Sequence, residues 1–271
     1  MPIAQLNGTT LCYEETGRGE PLVLVHGAWV DHTNWELVVP RLSTSFRVVT
    51  YDLRGHGESK LDPPEAGTVH DDIADLVALI EHLDLGPVNV AGISSGACIA
   101  LRFASEQPAL VRRVLPHEPP CFEYLADNAE AIPMLTEFGA TLAHVQRQIE
   151  DGDHCGAAER FFETFYPWSD LSPAQQGQIA SHARAFLGQL RDPDAIVLDP
   201  DAMRGVTAPV LLSEGDQSPP FAILVVEELA TVLPNSKRHV FSNAGHVPHM
   251  THPDEYVDLI LEFVGNSGEA Q

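Results

Sequence analysis

The sequence predicts an α/β fold class, a doubly wound and mostly parallel sheet with an inserted helical cap. Two observations carry that expectation. Short β-rich runs alternate with helical patterns, which calls for parallel strands covered on both faces. The alternation then stops after Glu118, where residues 119–207 show helical periodicity and no good strand. A chain of 271 residues fits one domain carrying a large insertion, with residues 1–118 and 208–271 as the sheet core and 119–207 as the cap.

The runs around Ile3 to Leu6 and Leu11 to Glu14 read as an N-terminal hairpin. The candidate strands that follow are Pro21 to Gly27, Phe46 to Asp52, Pro87 to Gly92, Val111 to Glu118, Ala208 to Gly215 and Ser236 to Ser242. Val69, Ile73, Leu76, Val77, Ile80 and Leu83 share one helical face, with Thr68 as N-cap and Gly86-Pro87 as the stop. Tyr256, Ile260, Phe263 and Val264 mark a last helix after His252-Pro253. Within the cap, Leu135, Phe138, Leu142, Val145 and Ile149 form one apolar stripe. Ile179, Ala183, Phe186, Leu187 and Leu190 form a second, capped by Ser172 with Pro173 in the first turn.

Acidic residues number 39 against 15 basic ones, a net charge of -24. Nucleic acid and anionic membranes would be repelled by such a surface. The acidic residues are scattered, and neither an HExxH nor a CxxC pattern occurs, so no metal and no cofactor is expected. Cys12, Cys98, Cys121 and Cys155 lack metal or redox spacing and read as idle thiols. The N-terminus carries no signal-peptide pattern and no run of apolar residues is long enough to span a bilayer. A cytoplasmic protein is expected, monomer and homodimer both being open.

The chemistry starts at Gly92-Ile93-Ser94-Ser95-Gly96. An apolar strand precedes this Gly-x-Ser-x-Gly run and a helical run follows it, the context of a nucleophile on a sharp strand-to-helix turn. Ser94 is the candidate nucleophile. A serine hydroxyl needs a base, and Ser-Asn-Ala-Gly-His246, after the last strand, supplies an imidazole with room to reach back. His249 and His252 lie nearby; His246 is preferred because it directly follows Gly245. For an oxyanion hole, backbone N–H groups are available at Ser95 and, after His26-Gly27, at Ala28. Trp29 stands beside Ala28, while His26 itself reads as structural.

These segments together resemble the α/β-hydrolase family over nearly the whole chain. The resemblance rests on His26-Gly27, Trp35, the run Asp52 to Ser59, the elbow at Ser94 and the late Gly245-His246. In that family the Asp52 to Ser59 run is mainly structural. Many members place a triad aspartate three residues after the glycine ending the penultimate strand; that glycine is Gly215, and the position holds Ser218, which cannot balance an imidazolium. Asp216 is close in sequence but one residue after the glycine. A minority of the family places the acid after the preceding strand, where this chain has Glu118 in Leu-Pro-His-Glu-Pro-Pro. That detail and Gly-x-Ser-Ser-Gly-Ala resemble the zearalenone lactonases, and the resemblance implies Glu118 as the triad acid.

Hydrolysis of a small-molecule ester or lactone is the leading expectation, with a bulky zearalenone-like lactone as substrate. Phe162, Tyr166 and Trp168 of the cap, with Trp29, are the candidate substrate contacts. The same triad would also serve a carbon–carbon hydrolase, a haloperoxidase or perhydrolase, or a hydroxynitrile lyase. A small-molecule receptor of the same fold is the non-enzymatic alternative.

Overall fold

A computed structural model describes residues 1–265. Eight strands form one sheet: β1 (Ile3–Leu6), β2 (Thr9–Gly17), β3 (Glu20–Val25), β4 (Phe46–Tyr51), β5 (Val88–Ile93), β6 (Val111–His117), β7 (Val210–Gly215) and β8 (Ser236–Phe241). The helices are α1 (Val39–Leu42), α2 (Val69–His82), α3 (Ser95–Glu106), α4 (Ala131–Glu150), α5 (His154–Phe162), α6 (Pro173–Ser181), α7 (Ala183–Arg191), α8 (Pro200–Arg204), α9 (Pro220–Val232), α10 (Pro248–Thr251) and α11 (Pro253–Gly265). The strand order is β1-β2-β4-β3-β5-β6-β7-β8, antiparallel at β1-β2 and β2-β4 and parallel from β4 to β8.

The central strands are apolar at successive positions because both faces of the sheet are covered. Val23, Val25, Val49, Tyr51, Val88 and Val90 pack with α2, α3 and α9 through Leu76, Phe103 and Leu229. On the opposite face, Leu22, Leu24, Val48, Ala91 and Ile93 pack with Leu42 of α1 and with Tyr256 and Ile260 of α11. Thr68 caps α2 as its sequence predicts, in a reciprocal capping box with Asp71.

No strand interrupts the segment between β6 and β7, which holds α4 to α8. The stripe on α4 buries Phe138, Val145 and Ile149. The second stripe is buried as expected, but it does not lie on one helix. His182 separates α6 from α7, because its ring is engaged elsewhere: Nδ1 donates to Trp29 O (2.9 Å) and Nε2 accepts from Gly57 N (3.0 Å). A contact with residues more than a hundred positions away outweighs the local periodicity. No helix among the described residues is long and apolar enough to cross a membrane.

The turn from β5 into α3 is a tight junction. A Cβ on Gly92 would stand 2.2 Å from Gly96 O, and one on Gly96 would stand 2.4 Å from both Val25 O and His26 O. Only glycine lets the helix start this close to β3 and its following loop. Gly96→Ala is therefore expected to destabilise the protein by about 1–3 kcal/mol, seen as a lower urea midpoint. A midpoint equal to that of the parent would show that the junction has room to spare.

Candidate active site

Ser94 occupies the residue between β5 and α3, at φ 54° and ψ -126°. A non-glycine residue there is strained, and the neighbouring strand and helix impose the strain. The turn holds the side chain clear of the helix, since Ser94 makes no capping hydrogen bond. Its backbone is tied to the next strand by Ser94 N donating to His117 O (2.9 Å).

Glu118 follows β6, also at positive φ (43°), and is 1% exposed. Its carboxylate gathers three donors: Gly215 N (2.8 Å) and Ser218 Oγ (2.5 Å) on Oε1, and His246 Nδ1 (2.5 Å) on Oε2. With Nδ1 engaged as donor, Nε2 of His246 remains free to take a proton. Ser218, three residues after Gly215, thus helps to hold Glu118 in place. Asp216 turns away; it is exposed and accepts from the side-chain amide of Gln217 (3.1 Å). Of the two carboxylates left open by the sequence, Glu118 is the one against His246.

Burial alone would push the Glu118 carboxyl up. The neighbouring His117 and the hydrogen bonds from His246 and Ser218 outweigh it and bring its pKa down from 4.5 to about 2. His117 is completely buried, its Nδ1 facing Ser213 Oγ at 3.0 Å, and burial lowers its pKa to about 4. Near pH 7 the cluster therefore comprises an ionised Glu118 beside a neutral His117.

Ser94 and His246 line one cavity of about 320 Å³. Ala28 and Trp29 form part of its wall, with Phe162 and Tyr166 from the insertion. Ser95 lies at the first turn of α3, where backbone N–H groups have no partner within the helix; the residue also borders a separate small cleft with Thr68 and Asp72. Trp29 is fully buried at φ 66° and packs on Phe186 with ring centroids 4.7 Å apart. Trp168 departs from expectation. It is 6% exposed, packs on Phe162 at 5.7 Å and does not reach the cavity, because the apolar cluster inside the insertion claims the indole.

Phe165 takes the more intimate position, its ring 4.6 Å from that of His246. Nothing in the sequence singles it out from the other aromatics of the insertion. Asp31, Gln178 and His182 also line the cavity and were missed. Only Asp31 carried a local signal, an N-cap pattern realised in its side chain accepting from Thr33 N (2.9 Å).

His26 is structural as expected: Nδ1 meets its neighbour Gly27 O (2.8 Å) and Nε2 accepts from Leu53 N (3.0 Å). Asp52 is likewise occupied, accepting from His32 N, His32 Nδ1 and Glu58 N. The donor atoms of His117, Glu118 and His246, and of Asp31, His32 and Asp52, lie close enough to hold a cation. In both groups the carboxylates already accept N–H and O–H donors from the chain, and hydrogen bonding accounts for the grouping.

The model of the alpha/beta hydrolase family matches residues 22–259. The chain belongs to that family. A protein of Aromatoleum aromaticum, described as pimeloyl-[acyl-carrier protein] methyl ester esterase, is 31% identical over 255 residues, 90% of this chain and 97% of the relative. Among solved structures, Est816, described as an N-acyl homoserine lactone degrading enzyme, has a TM-score of 0.78 at 21% identity, covering 97% of this chain and 100% of the other. The enol-lactonase of Burkholderia xenovorans LB400 has a TM-score of 0.66 at 20% identity, covering 98% and 100%. Esterases and lactone-degrading enzymes thus stand among the relatives and structural neighbours of this alpha/beta hydrolase.

The buried titratable groups set an acid limit on stability. Burial lowers the pKa of His117 to about 4 and that of His249 to about 3. Such histidines bind protons in the unfolded chain first, so their contribution is complete above the ordinary pKa of 6.5 and is lost as pH falls toward 4 and 3. Glu118, depressed to about 2, contributes above 4.5 and loses that contribution between 4.5 and 2. The urea midpoint is expected to fall steadily from pH 7 to pH 4. A midpoint that held flat across that range would contradict the protonation states described.

Proposed function

We propose that the protein hydrolyses a carboxylic ester or lactone through an acyl-enzyme, with Ser94 as nucleophile, His246 as general base, Glu118 as the orienting acid and the N–H groups of Ala28 and Ser95 as oxyanion donors. The observation that carries this reading is the 2.5 Å bond from His246 Nδ1 to a buried Glu118, in a cavity that also holds Ser94. In the proposed cycle, His246 Nε2 takes the hydroxyl proton as Ser94 Oγ attacks the carbonyl carbon. The oxyanion draws on the two N–H groups, and the imidazolium is stabilised by Glu118. The proton then passes to the leaving alkoxide; water attacks the acyl-enzyme with His246 again as base, and the acid product leaves.

In this reading the segment 119–207 acts as a cap over the site, and its aromatic wall selects the acyl part of the substrate. The cavity falls near the lower end of the usual range for small-molecule sites, about 300–1,000 Å³. A compact, bulky and apolar lactone suits it, zearalenone being the first to try. Apolar contacts remote from the carbonyl position it for attack and raise turnover as well as binding. A carbon–carbon hydrolase or perhydrolase would use the same three side chains, and a panel of esters, lactones and peroxide-dependent reactions separates them.

Ser94→Ala is expected to fold normally and to lose about four to six powers of ten in kcat, with a fluorophosphonate adduct of the parent mapping to Ser94 by mass spectrometry. Activity surviving the alanine, or labelling at another serine, would remove the assignment.

Glu118→Gln is expected to lower kcat by about four powers of ten, as when a triad acid loses its charge, while Asp216→Asn stays close to the parent. The reverse ranking in steady-state kinetics would transfer the acid role to the loop after β7.

A further inference from the structure

We infer that the cavity beside Ser94 accepts uncharged esters or lactones and rejects those bearing a carboxylate. The inference rests on the hydrolase reading and narrows it to a substrate class. Recognition of an organic anion ordinarily uses arginine or lysine. Neither residue type lines this cavity. Two carboxylates do, Asp31 and Glu36.

Asp31 is 4% exposed. Burial would raise its pKa, but hydrogen bonds from Thr33 and Gln178 outweigh burial and leave it below the ordinary value, so it is ionised at neutral pH. Thr33 N and Oγ1 donate to one oxygen and Gln178 Nε2 to the other, at 2.9, 2.6 and 2.8 Å. All three donors are neutral, and although His182 Nε2 lies 3.7 Å from Oδ2, that nitrogen already accepts from Gly57 N.

The two histidines on the wall do not reverse this balance. His182 accepts from Gly57 N on Nε2 while Nδ1 donates to Trp29 O. Both bonds are satisfied only by the neutral ring; a second proton would set two donors against each other. His246 holds the Glu118 carboxylate on Nδ1 at 2.5 Å, so any positive charge on its ring is balanced within the pair. Elsewhere several arginines are paired with carboxylates: Arg54 with Asp71 and Asp75, Arg184 with Glu65, Arg191 with Glu150, and Arg238 with Glu214 and Glu227. A net charge of -24 repels an anion during approach as well.

What the cavity offers instead is neutral. Gln175 Nε2 and the Tyr166 hydroxyl can donate to carbonyl groups, Gln178 Oε1 can accept from hydroxyl groups, and Phe161, Phe162 and Ile179 supply apolar wall. A substrate with scattered neutral oxygens on a bulky hydrocarbon frame matches this set. A dicarboxylate half-ester does not.

The test compares the p-nitrophenyl esters of p-methylhydrocinnamic and p-carboxyhydrocinnamic acid, which differ by one methyl against one carboxylate. At neutral pH and low salt, kcat/KM should favour the methyl compound by at least about tenfold, and the ratio should shrink as salt is raised. Glu36 is exposed, so Glu36→Lys alters charge without touching the core and should reduce the ratio severalfold. Equal efficiency for the two esters in the parent would overturn the inference while leaving the hydrolase reading intact. A ratio unchanged in Glu36→Lys and insensitive to salt would overturn its electrostatic basis. Failure to turn over either ester, or any other, would overturn the hydrolase reading and this inference with it.

Discussion

The carboxylate of Glu118 is the point at which separate parts of the chain are held in register. It is buried and ionised, a costly condition unless every oxygen is satisfied. Gly215 N, Ser218 Oγ and His246 Nδ1 satisfy it, and they come from the end of β7, the loop after it and the loop after β8. The C-terminal edge of the parallel sheet, where ligands of open α/β folds bind, is thus organised around one negative charge. The positive φ of Glu118 and of Ser94 belongs to the same arrangement: both residues leave adjacent parallel strands, and both are turned out of ordinary backbone geometry to face the edge.

The helical insertion completes what the sheet edge begins. Phe165 stacks against His246, Trp29 sits under Phe161 and Phe186, and His182 bonds at once to the Trp29 carbonyl and the Gly57 amide. The loop carrying Ala28 is consequently gripped from above by the insertion and from below by His26, which bridges to Leu53. Geometry of this kind suits a backbone donor that has to be in place before charge develops. It also explains why the cavity wall is apolar on one side and acidic on the other: the insertion contributes aromatic rings, while the segment after Trp29 contributes Asp31 and Glu36.

Much of this was legible in the chain itself. Strand and helix positions follow from local periodicity and capping, as with Thr68 before α2, and the elbow follows from glycines at Gly92 and Gly96 that allow a close approach no other residue permits. The late glycine before His246 is a local signal of the same kind. These features share a cause, since each depends on neighbours a few residues away and is therefore written in consecutive sequence.

What only the tertiary structure decided involves contacts across long separations. Asp216 and Glu118 are both carboxylates near the ends of strands, and composition and spacing do not tell which one meets an imidazole; the sheet order, placing β6 beside β7 and turning Asp216 to solvent, does. Phe165 and Trp168 are aromatics three positions apart, yet one lies on His246 and the other is absorbed into the interior of the insertion. His182 breaks a helical stripe that continues on both sides of it, because two distant backbone groups claim its ring. The sequence by itself determined the sheet, the elbow and the histidine loop, whose causes are local. Which carboxylate meets His246, which residues wall the cavity and the break at His182 were decided by tertiary structure, because hydrogen bonding and packing act on distance in space and leave no periodic trace along the chain.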